Sequence, residues 1–178
     1  INRIMKFRKY DTKVLKENFR ERFNATPTIF RSPGRINIIG EHTDYNEGFV
    51  LPAAIDKAAY VAVSKRNDDN IQLASLAFNE TYTCRIAEVR PLKSWTDYVL
   101  GIVHQLSKHG MAIGGFNLVL DGDIIIGAGL SSSAAVECSV IYALNELFAL
   151  DLSKIQMVKM AQAAEHEFAG VKCGIMDQ

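Results

Sequence analysis

Apolar positions along the chain follow two different periods. Val14, Leu15, Phe19 and Phe23 form one stripe in an otherwise polar stretch, which predicts a helix over residues 12–24. Short apolar runs at 28–30, 36–39 and 49–55 read as strands, and 36–39 reads as a buried one broken by Gly40. Residues 58–64 have the β-branched and aromatic content of a strand. The polar run at 67–70 predicts a turn, with a hairpin from 71–76 and 81–86. Trp95, Tyr98, Val99, Ile102 and Leu106 recur at helical spacing over 92–108, and Gly110 suits the left-handed position that ends a helix. Residues 116–120 predict another strand. Residues 131–149 predict a strongly apolar helix, and the segment from Asp151 to Ser153 caps a further one reaching about residue 168. Strands dominate the first two-thirds and helices the last third, without repeats or long linkers. That order predicts the α+β class, a mixed β-sheet layered with helices.

Composition narrows the function classes. The 178 residues are 48% hydrophobic and 22% charged, an ordinary globular balance with one domain expected. Lys+Arg and Asp+Glu both number 20, so no overall field favours nucleic acid or an acidic membrane, and neither partner is expected. No apolar stretch approaches the roughly 20 residues of a membrane span. Cys84, Cys138 and Cys173 are odd in number and widely spaced, which argues against a disulfide framework or a structural zinc site. A reducing cytoplasm is the expected compartment. Cys138 reads as core, Cys173 as a packing residue beside a site, and His166 as structural or exposed.

Three segments carry chemistry. The first is RSPGRINIIGEHTDYNEGFVLP at 31–52, which gathers Arg35, Glu41, His42 and Asp44 around an apolar run. Carboxylates and imidazole there can hydrogen-bond the hydroxyls of a sugar, and so much buried-edge polarity calls for a ligand. The second is GAGLSSSAA at 127–135, which opens a helix. Glycines let backbone approach an anion, and N–H groups at a helix N-terminus point at negative charge. No lysine follows the glycines and no third glycine completes a dinucleotide fingerprint, so neither a Walker loop nor a dinucleotide fold is supported. The third is AEHEFAGVKCGIMDQ at 164–178.

Together the three segments resemble the galactokinases, within the GHMP family of small-molecule kinases. The resemblance runs from about residue 28 to the end of the chain and implies a GHMP kinase N-terminal domain, of the ribosomal protein S5 domain 2-like kind, over 1–178. It implies ATP and Mg²⁺ as cofactors, with galactose as the sugar and its C1 hydroxyl as acceptor. On this resemblance Asp177 is the catalytic aspartate and Arg35 its companion. Glu41, His42, Thr43, Asp44, Gly174 and Asp177 contact the sugar. Gly127, Ala128, Gly129, Leu130, Ser131, Ser132 and Ser133 hold the nucleotide phosphates. Ser133 and Glu165 supply protein oxygens to Mg²⁺, and Ser75 and Trp95 flank the nucleotide. Asp177 acts either as general base or by orienting the hydroxyl while Arg35 stabilises phosphoryl charge. Ile125 stands where the family usually has proline, which leaves the loop entry less rigid.

Galactokinases are about twice this length. The C-terminal, ferredoxin-like domain expected from the resemblance is absent from these 178 residues, so the chain by itself is expected to be an inactive fragment, with apolar surface exposed where that domain would sit. The resemblance leaves two other readings: a kinase for N-acetylgalactosamine or arabinose, and a non-catalytic galactose- and ATP-binding regulator. Known regulators of that kind have lost residues of the phosphate loop, and the serine run at 131–133 is intact here. The oligomeric state is unknown from sequence.

Overall fold

Burial on both sides of a single sheet organises the chain. The strands are β1 (Thr28–Ile39), β2 (Leu51–Lys65), β3 (Asn70–Ser75), β4 (Glu80–Arg85) and β5 (Phe116–Gly122), in the order β1-β2-β5-β3-β4. All neighbours run antiparallel except β3 and β5, which are parallel. The helices are α1 (Thr12–Phe23), α2 (Asp97–Lys108), α3 (Ser132–Phe148) and α4 (Lys154–Ala164). This computed structural model describes residues 10–40, 43–46 and 48–178. The mixed sheet and its helices meet the α+β expectation.

Successive side chains on a strand point to opposite faces. Val61 and Val63 of β2, with Phe116, Leu118 and Leu120 of β5, turn toward α2, α3 and α4 and form the main core. Tyr60 and Ala62 of β2, with Val119 of β5, turn the other way and meet Leu15 and Phe19 of α1. The two faces together explain why Ala58 to Val63 is buried without a break.

Side chains close the helix ends. Asp11 accepts from the Lys13 amide at 3.0 Å, and Asn24 ends α1 in the left-handed region. Ser153 and Gln156 form a capping box on α4. The helix expected over 92–108 begins only at Asp97. Its buried carboxylate accepts from the Leu92 and Lys93 amides at 2.9 and 2.7 Å, which folds the preceding residues into a turn. The last helix does not run on regularly to 168. It widens into a single π-type turn over Glu165–Ala169.

Two strand expectations are corrected. The runs at 28–30 and 36–39 belong to one strand, β1, with an irregularity between Pro33 and Arg35 that keeps pairing on either side. Likewise 49–55 and 58–64 merge largely into β2. The run 36–39 is not buried: Ile36, Ile38 and Ile39 are 41%, 61% and 69% exposed. The reason is position. This half of β1 lies at the sheet edge and pairs only with Leu51 to Ala54, which are themselves largely exposed.

The crossing of α2 with the end of α4 depends on Gly101. A Cβ there would lie 3.1 Å from both Ala164 Cβ and Phe168 Cβ. Gly101→Leu is expected to destabilise the fold by about 2 kcal/mol through overpacking, read from urea unfolding.

Candidate active site

The irregularity in β1 brings the strand against the glycine- and serine-rich loop. Arg35 N donates to Leu130 O at 3.1 Å, and a Cβ on Gly34 would sit 2.9 Å from that same carbonyl. Glycine is therefore required for the approach. From this point the Arg35 guanidinium forms an ion pair with the carboxylate of Asp177, in the 3₁₀ turn Ile175–Asp177. The two side chains are 15% and 23% exposed, so the pair is largely withdrawn from water.

The residues expected to contact a sugar are partly assembled around the pair. Asp44 lies in the 3₁₀ turn Asp44–Asn46, and its carboxylate occupies the space where a Cβ on Gly174 would fall. Gly174 and Asp44 are thus brought together by direct contact. The Thr43 hydroxyl stays within its own loop, 2.6 Å from Gly40 O and 3.0 Å from Phe49 O. Gly40 has φ +102, which an L side chain rarely adopts, and a Cβ there would press on Phe49 O. Glu41 and His42 lie outside the described residues.

The loop over 127–131 is open. Gly127 and Gly129 have φ of +77 and +71, and a Cβ at either would meet nothing within 4 Å. Ser131 is also left-handed, and its buried Oγ lacks a hydrogen-bond partner. Ser132 begins α3, so the loop delivers unpaired N–H groups to one point. Open space, a helix N-terminus and an orphaned hydroxyl suit the phosphates of a nucleotide.

Beside this loop runs an open cleft of ≈ 670 Å³, lined by Ser75, Phe78, Trp95, Tyr98, Ser132 and Ser133 among others. Ser75 and Trp95 therefore both face the cleft. Ser75 Oγ also accepts from the Phe78 amide at 3.3 Å.

Ser133 Oγ donates to Glu165 Oε1 at 2.6 Å. Glu165 is no solvated helix charge: it is 3% exposed, and its other oxygen accepts from Gln178 Nε2 at 2.8 Å and from Cys173 Sγ at 3.1 Å. A hydroxyl and a carboxylate oxygen at one spot next to the glycine–serine loop are hard donors of the kind Mg²⁺ takes. Among the described residues no group of three or more His, Cys, Asp or Glu could hold a metal by itself.

Sequence reasoning missed Glu137. It is fully buried on α3, one turn after Ser133, and neither carboxyl oxygen makes a hydrogen bond. Burial, reinforced by the charge of Glu165, pushes its pKa up to about 10. The signal was present: Glu137 is the only charged residue between 131 and 145. Cys138 is half-buried against the core and Cys173 is partly buried. Burial raises both thiols to about 12, so Cys173 is a poor nucleophile although His166 Nε2 stands 3.7 Å away. His166 is exposed and holds the backbone of Cys173.

The glycine–serine loop and the buried Ser133–Glu165 pair both fall within a segment that matches a kinase-domain family. The galactokinase galactose-binding signature matches residues 17–65, and the GHMP kinases N terminal domain matches residues 97–178. The chain therefore carries a GHMP kinase N-terminal domain joined to the galactokinase galactose-binding signature. It is 41% identical to a galactokinase of Chloroflexus aurantiacus over 172 residues, covering 95% of this chain and 44% of that one. It is 47% identical to a galactokinase of Thermosipho africanus over 148 residues, covering 83% and 41%. The structure of Lactococcus lactis galactokinase complexed with galactose matches with a TM-score of 0.89 and 38% identity, over 93% of this chain and 44% of that one. Methanococcus jannaschii mevalonate kinase shares the fold, with a TM-score of 0.75 at 23% identity, over 86% and 50%. The chain thus spans less than half the length of the galactokinases it matches.

The buried carboxyl of Glu137 has a stability consequence. It is neutral in the folded protein at pH 7 but would ionise on unfolding, since its folded pKa lies above the unfolded value near 4.5. Its contribution is complete below about pH 4.5 and is lost as pH rises toward 10. Without Mg²⁺ or nucleotide, Glu137→Gln should match the native protein near pH 4 and exceed it by on the order of 2 kcal/mol at pH 8, read as Tm against pH.

Proposed function

We propose that this chain is the N-terminal part of an ATP-dependent galactokinase, which transfers the γ-phosphoryl group of ATP to the C1 hydroxyl of galactose. The observation that carries the reading is the Arg35–Asp177 pair. It stands where the strand irregularity touches the glycine–serine loop and where the segment holding Gly174 meets the turn holding Asp44. That is the meeting point required of a phosphoryl donor and a sugar acceptor.

Asp177 accepts the proton of the C1 hydroxyl or orients that hydroxyl for attack, and Arg35 offers positive charge to the transferring phosphoryl group. The loop over 127–133 orients the phosphates through backbone N–H groups and serine hydroxyls. Ser133 and Glu165 would hold Mg²⁺, which when bound neutralises charge on the phosphates. Asp44 and Gly174, with Glu41, His42 and Thr43, form the sugar side. Hydroxyl-specific hydrogen bonds there would reject epimers, because a misplaced hydroxyl leaves buried polar groups unpaired. The three free thiols suit a reducing compartment, and we assign the protein to the cytoplasm. No described helix is long and apolar enough to cross a membrane.

In the natural, longer protein, Asp177→Asn should lower kcat by about 10²–10⁴-fold. Arg35→Ala should lower it by about 10²-fold or more. Both are read by coupled ADP release against a panel of sugars in which galactose is the preferred acceptor. Near-native turnover by Asp177→Asn would sink the assignment, and a preference for N-acetylgalactosamine or arabinose would reassign the substrate. Binding without turnover would identify a regulator. The isolated 178 residues, less than half the length of their relatives, should phosphorylate galactose little or not at all.

A further inference from the structure

The hairpin joining β3 to β4 carries polar and aromatic groups that the proposed phosphoryl transfer does not use. Glu80 opens β4 directly opposite Ser75, and its Oε2 accepts from the indole Nε1 of Trp95 at 2.8 Å. Trp95 is 8% exposed and lines the cleft. A withdrawn indole N–H needs a partner, and a carboxylate is a strong one. Phe78, in the turn between them, also lines the cleft and is 46% exposed. Its ring lies nearly parallel to the indole, with centroids 6.5 Å apart and planes 20° apart. The turn is closed by Ser75 Oγ and by Asn79 in the left-handed region. An aromatic wall is therefore locked from behind by an acid that does not itself line the cleft.

We propose that Glu80 is a positioning residue for nucleotide binding. Its carboxylate fixes the plane of the Trp95 indole, and the base of the nucleotide stacks on the wall that Trp95 and Phe78 form. Aromatic faces suit this task because every nucleobase presents a π-face. The inference rests on reading the cleft as the ATP site.

The test uses the natural, longer protein and the non-hydrolysable analogue AMP-PNP, with Kd measured calorimetrically. Glu80→Ala should raise the AMP-PNP Kd by about fivefold, a fraction of the stacking energy at stake. Glu80→Leu, which keeps bulk without an acceptor, should do the same. Glu80→Gln keeps an acceptor for the indole N–H and should restore native affinity. The KM for ATP should rise in the alanine variant while kcat at saturation and the galactose KM stay unchanged. In a Trp95→Phe background, which has no indole N–H, Glu80→Ala should have no further effect. Native AMP-PNP affinity in both Glu80→Ala and Glu80→Leu overturns the inference, as does an equal loss in the Trp95→Phe background. Failure of the native protein to bind AMP-PNP while it still binds galactose overturns the cleft reading, and this inference with it.

Discussion

The approach of β1 to the glycine- and serine-rich loop is the constraint on which the candidate site depends. One backbone hydrogen bond, from Arg35 N to Leu130 O, joins two segments almost a hundred residues apart. It forms only because Gly34 presents no Cβ to that carbonyl. With the contact in place, the Arg35 side chain reaches Asp177 and pairs with it. A charged pair this far from water is strong only with good geometry around it. Here the geometry comes from the sheet, since β1 is held by β2 on both sides of the irregularity.

A second layer of the site is held by acids rather than cations. Glu165 gathers Ser133, Cys173 and Gln178, and so ties the start of α3 to the end of the chain. The π-type turn at Glu165–Ala169 is where α4 departs from regular geometry to present that carboxylate, as such turns at functional sites often do. Glu137 adds a buried carboxyl that a pure packing argument would replace with an apolar residue. A stability cost concentrated this close to the glycine–serine loop is the pattern expected where function outranks stability.

Much of this was legible in the sequence. The three motifs stand out in the residue pattern, and the existence of all four helices, apart from the late start of α2, follows from residue spacing and turn chemistry. The continuity of β1 did not, because Pro33 and Gly34 read locally as breakers, and only the partner strand shows that they sit in a tolerated irregularity of an edge strand. The exposure of Ile36, Ile38 and Ile39 was hidden for a related reason: an apolar run says that a segment can be buried, and tertiary neighbours decide whether it is. Glu137 stood out as a lone charge in an apolar helix, yet its meaning needs Glu165 beside it. Glu80 gave no signal, since its partner Trp95 is fifteen residues away and the link exists only after the hairpin folds.

The length of β2 carries a mechanical consequence. At about 3.3 Å per residue, fifteen residues reach up to about 50 Å. One end is clamped in the core between α1 and the other helices, while the other end pairs with the outer half of β1, whose Ile36, Ile38 and Ile39 are exposed. The ribbon is a beam held at three points: in the core, where the Arg35 amide meets Leu130 O, and at the tip, where Asp44 meets Gly174. The position of the Asp44 turn is therefore shared between core packing and these two props, and a loosening around Val61 or Val63 would reach the tip only in part.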